Sequence, residues 1–296
     1  MLDLKNSKNI KNNKKMTESP RRKFFLENGF YIEKGIFNEK CMEELFVAFY
    51  DLCWSIAIKS KIKLTTNQKH PKDVLFPEDM EQLDALLLSV FNYDKSLIGE
   101  IYDTIAYCSS FMRFLGNKDV ENLSRELLNL PKHTVLYGWQ NRVRIDPPRD
   151  ERRTYSWHQE IFYTIPETHF LQTWCPILRN TTKENGTIKV MPKSHKEGIA
   201  KCNWTKEEGR PLQIIVEESV TNKYDSLDLE MEIGDLLFFD GHLIHRSGTN
   251  STRDEVRFSL VGMWHNTNYE SFKAPCPDFK SKTISPEEYF KKTFKK

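Results

Sequence analysis

Residues 234–248 read Gly234-Asp235-Leu236-Leu237-Phe238-Phe239-Asp240-Gly241-His242-Leu243-Ile244-His245-Arg246-Ser247-Gly248. A turn signal, a short buried strand and two histidines three residues apart follow one another, which is compatible with a metal ligand on a barrel strand. Other short runs rich in aromatic and β-branched residues surround it, at 134–145, 170–178, 187–191, 213–216 and 256–264. Turn signals such as Asp146-Pro147-Pro148 and Glu184-Asn185-Gly186 separate them. Many short strands without long helices between them predict a sandwich or barrel of antiparallel sheets.

Upstream the text changes. From about residue 24 to 130 it reads as mostly helical. Asn38 is placed to cap a helix whose apolar residues Met42, Leu45, Phe46, Phe49, Cys53 and Ile56 recur at three- and four-residue steps. Further helices are expected over 80–91, 97–115 and 120–130. Gly29-Phe30-Tyr31-Ile32 reads as a short strand before them. No internal repeat and no linker break the chain. The expected organisation is a tail over 1–20 and one domain over 21–296, helical over about 33–130 and β-rich over about 131–270.

Composition narrows the function. Among 296 residues the formal charge is only +2, and both signs are spread along the chain, so neither nucleic acid nor an anionic membrane is expected as partner. No apolar run approaches the ~18 residues of a spanning helix. The Lys- and Asn-rich first 20 residues lack the core of a secretory signal and read as a disordered basic extension. Six cysteines without a C-x-x-C pair suggest reduced thiols and a cytoplasmic protein.

His158-Gln159-Glu160 is the first candidate for chemistry. On a strand, residues two apart share a face, so His158 and Glu160 could grip one ion together. Eight histidines in a chain with 42 acidic residues give about one such H-x-D/E match by chance, and His195-Lys196-Glu197 is a second. The latter sits in the turn-like Pro192-Lys193-Ser194, a poor platform for ligands, whereas His158 borders the apolar Ile161-Phe162-Tyr163. Taken alone, His242 and His245 are each open to the role of third ligand or of core histidine. Arg257 and Ser259 alternate on the strand 256–264 and share a face. An arginine turned inward among apolar neighbours implies an anionic partner, which a carboxylate ligand would supply bidentately. Arg142, Arg144, Arg152 and Arg153 flank the approach to His158 and could hold a carboxylate or phosphate of a substrate.

These segments, taken in order, resemble the phytanoyl-CoA dioxygenase family. The order is 25–32, then Ser156-Trp157-His158-Gln159-Glu160, then Glu184-Asn185-Gly186-Thr187 with Met191-Pro192-Lys193-Ser194-His195, then Gly234-Asp235 to His245-Arg246-Ser247-Gly248, and finally Arg257. The resemblance implies a mainly β, cupin-like jelly-roll (double-stranded β-helix) core that binds Fe(II), 2-oxoglutarate and O2. It implies His158, Glu160 and His245 as iron ligands and Arg257 as the anchor of the far carboxylate of 2-oxoglutarate, with Ser259 beside it. Arg253 competes for that anchor role because Arg257 lies one residue further from Asn250 than the pattern expects. Trp174 and Gln140 match positions in the cosubstrate pocket, and His195 matches a turn residue that is not a ligand. Glu160 stands where the family usually has Asp, which keeps the charge and the oxygen donor while lengthening the reach. The implied function is oxidation of a small-molecule metabolite, by hydroxylation or a related outcome, with release of succinate and CO2. Rival classes are a non-catalytic jelly-roll binding protein and a cupin-type isomerase or hydrolase using another divalent metal.

Overall fold

A computed structural model describes residues 18–275 apart from 153, 207 and 209–211, so the basic stretch 1–17, Arg153 and Cys276 lie outside the described residues. Helix α1 (Pro20–Asn28) starts inside the span expected to be tail. Ser19 caps it by accepting from Arg22 N at 3.2 Å, and proline at the first helical position gives up no donor that the helix needs. Gly29, at φ +82°, ends it and leads directly into β1 (Phe30–Glu33).

Helix α2 (Glu39–Lys59) begins at Asn38, whose side chain accepts from Cys41 N, and its predicted apolar stripe is buried. Helix α3 (Met80–Tyr93) follows as expected. The helix expected over 97–115 is two, α4 (Leu97–Ile105) and α5 (Ser109–Leu115). No glycine or proline marks the break. Cys108 turns extended (ψ 144°), and the redirected chain lets Ile101 and Ile105 on one helix and Phe111 and Phe114 on the next reach the same core. Helix α6 (Lys118–Leu127) starts two residues before the expected position because Asn117 caps it.

The β half contains β2 (Leu136–Asp146), β3 (Phe170–Pro176), β4 (Lys189–Val190), β5 (Cys202–Thr205), β6 (Gln213–Val216), β7 (Leu227–Asp228), β8 (Leu236–Asp240), β9 (His245–Arg246) and β10 (Arg257–Asn266). Five strands form an antiparallel sheet in the order β1-β8-β3-β10-β2, a smaller sheet runs β7-β4-β9, and β5 pairs with β6. The fold is a jelly roll with a helical layer on its larger sheet.

Period-two alternation divides that sheet by chemistry. One face carries Val143, Ile145, Leu171, Phe238, Phe258 and Leu260 into the core built with the helices, where Phe49 meets Phe258 edge-on at 5.5 Å. Truncating Phe258 to Ala would cost about 3–5 kcal/mol through the cavity it leaves. The other face carries Trp174, Leu237 and Phe239 against Ile188, Val190, Leu229 and Met231 of the opposing layer. Arg142 and Arg144 of β2, Gln172 of β3 and Arg257 of β10 lie on this second face and line a cavity.

Candidate active site

The cavity measures about 540 Å³, and its walls include Gln140, Arg142, Arg144, Tyr155, His158, Glu160, Tyr163, Gln172, Trp174, His245 and Arg257. His158 and His245 stand opposite one another in an antiparallel bridge, each backbone N–H donating to the other's carbonyl at 3.0 and 3.1 Å. Their rings lie 4.2 Å apart, centroid to centroid.

The segment around His158 is not the strand expected from sequence. After the bridge the chain enters one 3-10 turn at Glu160–Phe162, and Glu160 N donates to Gly241 O at 3.0 Å. The two residues still converge, but through a bridge followed by a turn rather than through strand alternation. Gln159, between them, is fully buried. Its Nε2 donates to Gly198 O and His242 O, each at 2.7 Å, and its Oε1 accepts from Ala200 N. Gln159 therefore clasps the ligand-bearing segment to two loops.

Hydrogen bonding selects the free nitrogen of each ring. His158 Nδ1 lies 2.7 Å from Ser156 O and His245 Nδ1 lies 2.9 Å from Leu243 O. A carbonyl oxygen only accepts, so both Nδ1 atoms carry the proton and both Nε2 lone pairs face the cavity. Glu160 Oε2 sits 3.8 Å from His158 Nε2 and 3.6 Å from His245 Nε2, and the three donor atoms lie within 4.8 Å of one another. Donors around one divalent ion stand about 3 Å apart, so small side-chain movements close this set on a metal. Burial by itself would raise the Glu160 pKa; only with the adjoining imidazoles protonated, or a cation in their place, is the carboxyl held below its usual range. Burial and the neighbouring His158 in turn push the His245 pKa down, which keeps its ring neutral. Two neutral imidazoles and one carboxylate on one side of an ion leave its other positions open, the donor set of non-haem iron oxygenases.

The other histidines are elsewhere. His242 is half-buried and bonded through Nδ1 to Asp240, while His195 donates to Leu26 O and fastens α1. Among the described residues, the cluster able to hold a metal is His158, Glu160 and His245.

Arg257 is 2% exposed and Ser259 is fully buried, as their alternation on β10 predicted. The arginine already has a partner that sequence reasoning read only as a turn signal. Arg257 Nη2 donates to Asp146 Oδ2 at 2.6 Å, and Arg144 Nη2 donates to Asp146 Oδ1 at 3.0 Å. Burial favours the neutral form of Asp146, but the two guanidiniums prevail and hold its carboxyl well below the usual range. The signal was present, since Arg142, Arg144 and Asp146 alternate on β2. Arg257 Nε and Ser259 Oγ nevertheless remain buried without a hydrogen-bond partner. Those unmet groups are what a bound carboxylate would satisfy. Arg253 is exposed and does not line the cavity.

Of the four arginines expected at the approach, Arg142 lines the cavity and Arg144 is tied to Asp146. Arg152 is spent on Asp150 and lies over the Phe91 ring, away from the cavity. Gln140 owes its direction to a β-bulge. The β2–β10 register slips between Val261 and Met263, leaving Gln140 and Asn141 together opposite Gly262. Asn141 Oδ1 occupies the space a Cβ on Gly262 would need, 2.1 Å from its ideal position. Gln140, at φ +50°, is turned into the cavity, where its Nε2 donates to Tyr163 O at 3.0 Å.

A family model described as Phytanoyl-CoA dioxygenase (PhyH) matches residues 25–259. A probable phytanoyl-CoA dioxygenase of Caenorhabditis elegans is 23% identical over 239 residues, covering 78% of this chain and 70% of that protein. Among solved structures, the epimerase SnoN in complex with Fe3+, alpha ketoglutarate and nogalamycin RO aligns with a TM-score of 0.56 at 14% identity, over 90% of this chain and 92% of the other. EctD from S. alaskensis with 2-oxoglutarate and 5-hydroxyectoine aligns with a TM-score of 0.53 at 17% identity, over 90% and 85%. At such identities the structural likeness speaks for the fold, and the family match carries the activity class. The chain belongs to the phytanoyl-CoA dioxygenase family and is a 2-oxoglutarate-dependent non-haem iron dioxygenase.

Proposed function

We propose that this dioxygenase oxidises an anionic small-molecule metabolite, with His158, Glu160 and His245 holding the iron and Arg257 with Ser259 receiving the far carboxylate of 2-oxoglutarate. The observation that carries this reading is the pairing of unmet groups on one side of the sheet. Two imidazole Nε2 atoms are fixed toward one carboxylate, and the same cavity is lined by an arginine whose Nε lacks a partner. Iron together with 2-oxoglutarate and O2 supplies the oxidising equivalent for a substrate C–H bond, the cosubstrate leaving as succinate and CO2.

The residues supply placement. Nδ1–H bonds to backbone carbonyls orient both imidazoles, and Gln159 holds the segment that carries Glu160. Asp146 fixes the Arg257 plane so that its Nε edge is the one available to a carboxylate. Trp174, 4% exposed, walls the cosubstrate space, and Gln140 closes it from β2. Arg142 is the exposed cavity arginine and offers its charge to the substrate. The described cysteines are all free, which supports a reducing compartment such as the cytoplasm.

The test is a survey of metabolic acids and their neutral esters for acceleration of succinate formation. Acids should accelerate it and esters should not, and Arg142→Ala should raise the substrate KM about tenfold or more. A neutral best substrate with unchanged KM in Arg142→Ala would overturn the anionic reading.

A further inference from the structure

Gln172 has no part in the reading above, yet its carboxamide is the most conspicuous unsatisfied neutral group in the cavity. It is 5% exposed, lines the cavity, and its Oε1 is buried with no hydrogen-bond partner. On β3 it lies two residues before Trp174 and so shares the inward face. Its cross-strand neighbours are Met263 on β10 and Phe239 on β8, neither of which can meet an amide. Leaving a primary amide dry and unpaired is costly and therefore uncommon, and such groups in native proteins are met by a ligand or ordered water. The nearby bulge brings a second amide to the same end of the cavity. Gln140 stands beside Trp139, which pairs with Met263, and its Nε2 is already committed to Tyr163 O.

We propose that Gln172, assisted by Gln140, is the specificity-determining contact for a neutral substrate group that both donates and accepts hydrogen bonds, such as a hydroxyl or a carboxamide. The inference rests on the oxygenase reading and refines its substrate class. Arg142, Val261 and Trp174 lie in one row across three strands, and Gln172 is two residues further along. With strands about 4.8 Å apart and a rise of about 3.3 Å per residue, the Arg142 and Gln172 Cα atoms are about 12 Å apart. The expected substrate is therefore bifunctional, with an anionic group at the Arg142 side and a hydroxyl or amide at the Gln172 side.

The experiment uses enzyme loaded with Mn(II) and 2-oxoglutarate, with Mn(II) standing in for iron so that no turnover occurs. The probes are straight-chain carboxylates of increasing length, the same acids with a terminal hydroxyl, and the same acids with a terminal amine. Binding is followed by calorimetry and thermal stability. Wild type should prefer a hydroxy acid over the plain acid of equal length by about tenfold, and Gln172→Met should erase that preference. Gln172→Glu should transfer the preference to the amino acid. Without probe, Gln172→Met should raise Tm by about 2 °C, because a buried amide oxygen without a partner is replaced by an apolar chain of similar shape. A fall in Tm would mean a structural amide, and equal binding of hydroxy and plain acids by wild type, none included, would also overturn the assignment. Weakened 2-oxoglutarate binding in Gln172→Met would reassign the residue to the cosubstrate. Failure of wild type itself to bind Mn(II) and 2-oxoglutarate would overturn the oxygenase reading along with this one.

Discussion

Removing Asp146 should damage the protein more than removing Arg257, although the two are partners. Asp146 holds two guanidiniums, Arg257 at 2.6 Å and Arg144 at 3.0 Å, and all but a few per cent of its side chain is buried. Asp146→Ala leaves the 2%-exposed Arg257 charge without its carboxylate, and stranding one buried member of an ion pair costs about 3–5 kcal/mol. Arg257→Ala leaves Asp146 still paired with Arg144, so the loss is closer to that of one charge-assisted hydrogen bond, about 1.5–3 kcal/mol. For a chain of this length roughly 2 °C of Tm goes with each kcal/mol, so Asp146→Ala should lower Tm by about 6–10 °C and Arg257→Ala by about half of that. The Asp146 carboxyl titrates below its unfolded value, so its contribution is present at neutral pH and is lost as pH falls through the folded value. Urea denaturation of the metal-free protein at pH 7 is the assay. A loss below about 1 kcal/mol in Asp146→Ala, or a larger loss in Arg257→Ala, would refute this account of the cluster.

Anaerobic Fe(II) titration should give about one ion per chain, abolished in His158→Ala and His245→Ala and kept in His195→Ala and His242→Ala; the reverse pattern for His242 and His245 would move the third ligand. Arg257→Ala should raise the 2-oxoglutarate requirement at least tenfold while Arg253→Ala leaves it near normal, read from initial rates of succinate formation. Gly248→Ala should strongly destabilise the site, since a Cβ there would lie 2.3 Å from Thr187 O, a backbone atom that cannot turn aside; near-normal expression and 2-oxoglutarate affinity would contradict the packing. His265 is fully buried between the Thr164 and Thr168 hydroxyls, and burial pulls its pKa down to about 4. Because the unfolded chain takes up that proton near pH 6.5, stability should fall between pH 6.5 and 4 by up to about 3 kcal/mol, and His265→Gln should flatten that part of the profile.

The architecture was legible because alternation and helical spacing are local properties. The residues of β8 and β10 announce two different faces, and Asn38 announces a cap. The split of the helix over 97–115 was not legible, since Cys108 departs from the helix for reasons of packing that no neighbouring residue encodes. Residue types and motif order grouped His158, Glu160 and His245, which the structure does bring together, but by another local route than strand alternation: His158 and Glu160 converge through a bridge to His245 and a 3-10 turn. Asp146 escaped notice because it reads as the start of a turn rather than as the inward partner of Arg144 and Arg257, and Gln159 because its partners lie in two distant loops. Gln140, expected in the cosubstrate pocket, lines the cavity, and the bulge that turns it inward depends on Gly262 giving room to Asn141, a cross-strand relation that sequence does not show.

The central claim is that this protein consumes 2-oxoglutarate through iron held by His158, Glu160 and His245. It is tested most directly by succinate release from 2-oxoglutarate, compared between wild type and Glu160→Ala, with and without Fe(II), under air and under nitrogen. The account predicts succinate from wild type alone, only with iron and only under air, and in greater amount when a substrate acid is supplied. Undiminished succinate from Glu160→Ala, or succinate from wild type under nitrogen or without iron, would contradict it.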